Sequence, residues 1–233
     1  DALPISDSYM GDGFGFLEGP HWRDGALVFS DLIFGTPSRQ TIYALTPPDE
    51  LEVVVRPSEG ANGNATLSDG THVTCLQGGR RVARVTTDGT LETVFERYEG
   101  DRLNAPNDLV VRDDGAWYFT DPGYGVDAGD REIDVHGVYF VDGDTLTRVW
   151  SGTTDQRPNG VVLSPDDSVL YLADTADEVV RAFDVASDGS LSGERTFVDS
   201  IPGADGMTVD EAGNVYVAAQ PGVRVFAPDG SEW

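Results

Sequence analysis

The 233-residue chain has no lysine: all 15 of its basic residues are arginine, set against 41 acids, for a formal net charge of −26. A balance this negative repels phosphate backbones and anionic lipid, which excludes nucleic-acid and membrane-surface partners. Long apolar runs are also missing. No stretch reaches the 18 residues needed to cross a bilayer as a helix. Cysteine is reduced to Cys75, so no intrachain disulfide can form; it sits in the alternating run His72 to Leu76, where it reads as a small buried hydrophobe. The first 20 residues carry Asp1, Asp7, Asp12 and Glu18 but no early cationic stretch, which argues against a retained signal peptide. The start at Asp1 rather than Met leaves a trimmed leader open. A reducing, cytoplasmic setting is expected, with the chain a monomer or weak oligomer.

Catalytic signatures of the common hydrolases are absent too. There is no Gly-x-Ser-x-Gly elbow, and His21, His72 and His136 lack the spacing of a zinc site. The acids are spread from Asp1 to Glu232 with only short clusters, such as Asp113-Asp114 and Asp166-Asp167. That distribution reads as a globally acidified surface rather than a docking block for a basic partner. It is similar to proteins of salt-loving microbes, whose medium screens the self-repulsion.

What the chain does contain is a repeat. Asp24, Asp69, Asp114, Asp166 and Glu211 mark five turns spaced 45, 45, 52 and 45 residues apart. After each comes a short run rich in Val, Tyr, Phe and Thr, such as Trp117-Tyr118-Phe119-Thr120 or Val215-Tyr216-Val217-Ala218. Further runs follow, closed by turns such as Asp88-Gly89 and Asp142-Gly143, where Gly and Asp tolerate the positive φ of hairpins. Four short antiparallel strands in about 45 residues are the pattern of a propeller blade. A sandwich would repeat less regularly, and a solenoid would need shorter repeats. Residues 1–233 therefore predict one all-β propeller domain. Five units are visible, and the last reaches Trp233 before its fourth strand. The ring is either five-bladed or a six-bladed one lacking most of a blade, and the missing strand favours the second. The gap is then expected between the unit of Phe29 and that of Val217, with segment 5–16 belonging to the missing blade.

Six or seven residues before each turn stand Glu18-Gly19, Asn62-Gly63, Asn107-Asp108, Asn159-Gly160 and Asp205-Gly206. Any one of these could simply start a strand, since Asn and Asp favour such places. Five in register are expected to converge at one mouth of the central channel. Carboxylate and amide oxygens with no Lys or Arg among them suit a hard divalent cation.

The same segments carry a resemblance. Glu18-Gly19-Pro20-His21-Trp22, Asn62-Gly63-Asn64, Gly79-Arg80-Arg81-Val82, Leu103 to Asp108, Tyr118 to Pro122, Pro158-Asn159-Gly160 and Asp205-Gly206-Met207 occur in the order seen in one family. It is the gluconolactonase, senescence-marker (regucalcin) and luciferin-regenerating family, with the gluconolactonase branch nearest. The resemblance implies a six-bladed propeller holding one divalent cation, Ca2+ first, with Mg2+, Mn2+ or Zn2+ as alternatives. It implies Glu18, Asn107, Asn159 and Asp205 as metal ligands, and Asn107, Asn62 and Asp121 as substrate contacts. The implied activity is hydrolysis of a small-molecule sugar lactone, with Asp205 as general base or, in a rival version, covalent nucleophile. A phosphotriesterase or esterase, a metal-binding regulator without turnover, and a protein-interaction disc are the alternatives. This chain departs from the family twice within the motifs. Leu76-Gln77 stands where Glu-His is frequent, and Ala105 stands where some members carry a substrate-clamping Arg.

Overall fold

The structure, a computed structural model, describes residues 13–153 and 155–233. Its strands are laid out blade by blade. Blade 1 contains β1 (Leu17–Arg23), β2 (Ala26–Asp31), β3 (Thr41–Thr46) and β4 (Glu50–Val55). Blade 2 contains β5 (Ala61–Thr66), β6 (His72–Leu76), β7 (Arg81–Val85) and β8 (Leu91–Phe95). A small hairpin, β9 (Arg97–Tyr98) and β10 (Asp101–Arg102), leads to blade 3: β11 (Leu109–Val111), β12 (Trp117–Asp121), β13 (Gly137–Asp142) and β14 (Thr145–Ser151). Blade 4 contains β15 (Pro158–Leu163), β16 (Val169–Asp174), β17 (Val179–Val185) and β18 (Leu191–Val198). Blade 5 has β19 (Met207–Val209), β20 (Val215–Ala218) and β21 (Val223–Phe226). Each blade is an antiparallel meander in chain order. The repeat anchors fall in the turns between first and second strands. The longer third interval is due to the long β12–β13 connection, which contains a short 3-10 turn at Ala128–Asp130.

Blades are held together by apolar side chains from facing sheets. Val28, Ile42 and Val55 of blade 1 meet Ala61, Leu76 and Ala83 of blade 2. Cys75 and Val82 meet Trp117, Phe119 and Tyr139 between blades 2 and 3, with the Phe119 and Tyr139 rings stacked at 5.0 Å. Such a pair adds about 0.5–1.5 kcal/mol beyond the area it buries. Cys75 is thus the buried hydrophobe expected, and burial raises its thiol pKa well above the ordinary range. Tyr118 and Phe140 meet Leu170, Leu172 and Phe183 between blades 3 and 4, and Tyr171 and Val180 meet Val215 and Phe226 between blades 4 and 5.

Among the described residues five blades are present, not the six that the resemblance implies, and the fifth blade's sheet has three strands. The four clusters seal the interfaces from blade 1 through blade 5, and none of them joins blade 5 back to blade 1. Glycines on the innermost strands show the same break. A Cβ on Gly19 would lie 2.1 Å from the Asn62 carbonyl oxygen, on Gly63 2.8 Å from that of Asn107, and on Gly160 2.3 Å from that of Asp205. Only glycine permits neighbouring backbones so close. Gly206, at the matching place in blade 5, would meet nothing within 4 Å. Exposed Leu17, Trp22 and Val223 belong to these two end blades. Of segment 5–16, positions 5–12 lie outside the described residues. Phe14 packs on Phe29 and Tyr43, so the described part belongs with blade 1.

Candidate metal centre and active site

A bulge on the innermost strand recurs in every blade. Glu18 pairs with Ser30 and His21 with Val28, so three steps on β1 oppose two on β2. The same slip lies between Ala61 and Asn64 on β5 and between Pro158 and Val161 on β15. In blade 3 the Asn107 amide donates to the Thr120 carbonyl, and the Thr120 amide donates to that of Asp108; Asp205 and Gly206 share Ala218 in the same way. A bulge re-aims the side chain it carries. Here Glu18, Asn62, Asn107, Asn159 and Asp205 all line one cavity of about 1000 Å³, as their register predicted.

The electrostatics of this cavity are those of crowded anions. Burial pushes Glu18 up to about 8, and the charges of Asp205 and Asp108 push the same way. Burial raises Asp108 to about 6, against hydrogen bonds from the Val161 and Leu109 amides. Burial also raises Asp205, opposed by a hydrogen bond from Asn159. None of the ion pairs among the described residues involves Glu18, Asp108 or Asp205.

The asparagines turn their nitrogen ends toward other acceptors. Asn62 and Asn107 donate through Nδ2 to Gln77 Oε1 at 3.2 and 3.4 Å. Asn159 donates to Thr175 Oγ1 at 3.0 Å and contacts the Tyr124 hydroxyl at 3.4 Å. That pattern leaves the amide oxygens as donors for an ion. Among the described residues no three His, Cys, Asp or Glu side chains come together as an ion-holding group by themselves. A centre here would need its amides, with Glu18 and Asp205 as the available charges and Asn107 and Asn159 as the available neutral oxygens. This hard-oxygen set fits Ca2+ or Mg2+ better than a thiophilic metal.

Asp121 does not line the cavity. It is fully buried, and its carboxylate accepts the amides of Asn104 at 2.8 Å and Ala105 at 2.5 Å, three and two residues before Asn107, respectively. Burial lifts it to about 6. The remaining expected residues do come together, and His21 joins them at the wall, hydrogen-bonded to Thr66. His72 and His136 are fully buried in separate blades. Sequence reasoning missed Asp108 as a member of the charged group. Its signal was present: blade 3 has Asp where the other four pairs have Gly. Gln77 and Tyr124 lie on connections between strands, where the register of the first strands gives no guide, and they meet the asparagines through hydrogen-bond contacts. Both line a second cavity of about 310 Å³.

A β-propeller whose channel mouth gathers carboxylates and amides from successive blades is the class that this fold and site define. Residues 16–233 match the SMP-30/gluconolactonase/LRE-like region, and the chain belongs to that family. It is 32% identical to the gluconolactonase of Zymomonas mobilis subsp. mobilis over 91% of this chain and 67% of that protein. Among solved structures it is similar to a gluconolactonase from Xanthomonas campestris, with 33% identity, a TM-score of 0.85, and coverage of 95% of this chain and 75% of that one. The fold alone is shared with a calcium-binding regucalcin from Agrobacterium tumefaciens, at 20% identity and a TM-score of 0.77 over 95% and 74% of the two chains.

Proposed function

We propose that this chain is a divalent-cation-dependent hydrolase of sugar lactones, with its centre at Glu18, Asn107, Asn159 and Asp205. The observation that carries the reading is the accumulation of Glu18, Asp108 and Asp205 around amide oxygens with no cationic partner. Such a group is costly unless a cation joins it. Family membership and the gluconolactonase relatives support the reaction type.

When bound, the cation supplies Lewis-acid polarisation of a carbonyl oxygen. The residues of the chain do the rest. Asn107 and Asn159 orient the ring beside Asp205, and Asn62 holds Asn107 indirectly through their shared acceptor Gln77. Asp205 takes a proton from water on its carboxylate while the water oxygen bonds to the carbonyl carbon. The ring carbon–oxygen bond then breaks, and the proton passes to the departing ring oxygen, giving the hydroxy acid. Burial makes Asp205 a stronger base than an exposed carboxylate, as this step requires. A panel of aldonolactones assayed with and without chelator tests the proposal. Hydrolysis lost on chelation and restored by Ca2+ or Mg2+ is expected. Turnover insensitive to chelator would overturn the metal dependence, and inactivity on every lactone would overturn the substrate class.

A further inference from the structure

Three fully buried aspartates stand at one repeated place in the fold, the last residue of the second strand in blades 1, 3 and 4. Asp31 Oδ1 accepts the Gly15 amide at 2.9 Å and the Phe16 amide at 3.1 Å. Asp121 accepts those of Asn104 and Ala105. Asp174 Oδ1 accepts the Arg157 amide at 2.9 Å, while its Oδ2 is held by Arg181 at 3.1 Å. The amides bound are those two or three positions before Glu18, Asn107 and Asn159, respectively. These are three of the four residues assigned to the ion. The matching place is Leu76 in blade 2, paired with Ala61 just before Asn62, and Ala219 in blade 5. Neither can accept a hydrogen bond through its side chain. In blade 5 one candidate amide does not exist, since Pro202 occupies the position three before Asp205.

We propose that Asp31, Asp121 and Asp174 are positioning residues: each fixes the segment that enters the bulge, and so sets where Glu18, Asn107 and Asn159 present their oxygens. Blade 3 shows the device at its fullest. Between β10 and β11 the chain runs through Asn104-Ala105-Pro106 outside any strand. Asp121 holds two amides there, and Arg80 Nε donates to the Leu103 and Asn104 carbonyls at 3.0 and 2.9 Å. Donors and acceptors of one short segment are thus gripped by side chains of opposite charge, from β12 and from the β6–β7 turn. The oxygens of an ion site must be held to within fractions of an ångström, and groups that orient ligands are worth about 10- to 100-fold in metal affinity. The identity of the ion and the reaction rest on the function proposed above. The anchoring does not.

The test uses the full chain with Asp121→Asn, Asp121→Leu, which imitates blade 2, and Leu76→Ala as a core control. Ca2+ affinity is read by calorimetry, and amide shifts and hydrogen exchange of the metal-free protein by NMR. Asp121→Leu should lower Ca2+ affinity about 10- to 100-fold, Asp121→Asn should recover part of it, and Leu76→Ala should lower the melting temperature while leaving affinity unchanged. In the metal-free protein the Asn107 and Asp108 amides should shift, with faster exchange at Asn104 and Ala105. Equal affinity losses for Asp121→Leu and Leu76→Ala, or unmoved Asn107 and Asp108 signals, would overturn the proposal. A wild-type chain that binds no Ca2+ would overturn the ion reading, while the NMR arm would still decide the anchoring. Should Asp121→Leu not fold, the Asp121→Asn comparison carries the test.

Discussion

Two populations of acids share this molecule and titrate in opposite directions. At the channel mouth, burial raises Glu18, Asp108 and Asp205. In the exposed turns, aspartates are held below their ordinary range by local hydrogen bonds. The Thr71 amide lowers Asp69, the Thr86 hydroxyl lowers Asp88, and Ser168 with Ser164 brings Asp166 down to about 2. Ser190 and Ser231 do the same for Asp188 and Asp229. The turn acids are satisfied by their own neighbours within a few residues, and water screens them. The mouth acids come from different blades, lose water, and face one another. One composition therefore serves two ends: charge spread harmlessly over turns, and charge concentrated where a cation can be held.

Substitutions at the mouth should separate these populations most sharply. Asp205→Asn should lower kcat/KM on an aldonolactone by about 10² to 10⁴, the usual worth of a general base, with the fold intact by circular dichroism. A variant near wild-type rate would remove Asp205 from proton transfer. Next in size, Glu18→Gln and Asn159→Ala should both weaken Ca2+ binding in calorimetry. Glu18→Gln should have the larger effect, because it removes a charge rather than a neutral oxygen. If both bind as wild type does, the centre lies elsewhere.

The populations also part company with pH. In the metal-free chain Glu18 holds its proton up to about 8, far above the value for an unfolded glutamate, so the folded state binds more protons between the two. Stability from this group is full below about 4.5 and is lost as pH rises through 8. The turn aspartates have the opposite sign: Asp166 contributes above about 4, and its contribution fades as pH falls toward 2. A melting profile of the chelated protein should therefore decline on both flanks, and Ca2+ should flatten the alkaline one. Since Glu18 must lose its proton to hold the ion, Ca2+ affinity should rise with pH up to about 8. An alkaline flank unchanged in Glu18→Gln would break the assignment.

Salt acts on all 41 acids at once. The melting temperature should climb between about 0.1 M and 3 M KCl as screening shortens the reach of the repulsion. A flat profile would detach the acidic composition from a high-salt setting. The smallest effect belongs to a single turn: Asp166→Ala should lower the melting temperature by only a few degrees and leave Ca2+ affinity unchanged. A loss of ion binding there would show that the two populations are coupled.

The repeat, the blade, and the register of Glu18, Asn62, Asn107, Asn159 and Asp205 were legible in the residues because each is local. A turn needs Gly or Asp at one spot, a strand alternates within five or six residues, and equal spacing carries equal positions to equal places in a ring. Blade number was less legible, because closure depends on whether two distant sheets meet, and Gly206 looks the same in sequence as Gly160. Asp121 shows the limit most clearly. The family resemblance implied a substrate contact, yet its place at the end of β12 buries it against the backbone of Asn104 and Ala105. The sequence by itself determined which oxygens the chain can offer and at what interval. Only the tertiary structure decided which of them lose water, which face a like charge, and which hold the others in place, because burial and proximity between blades are properties of the packed blades together and of no single segment.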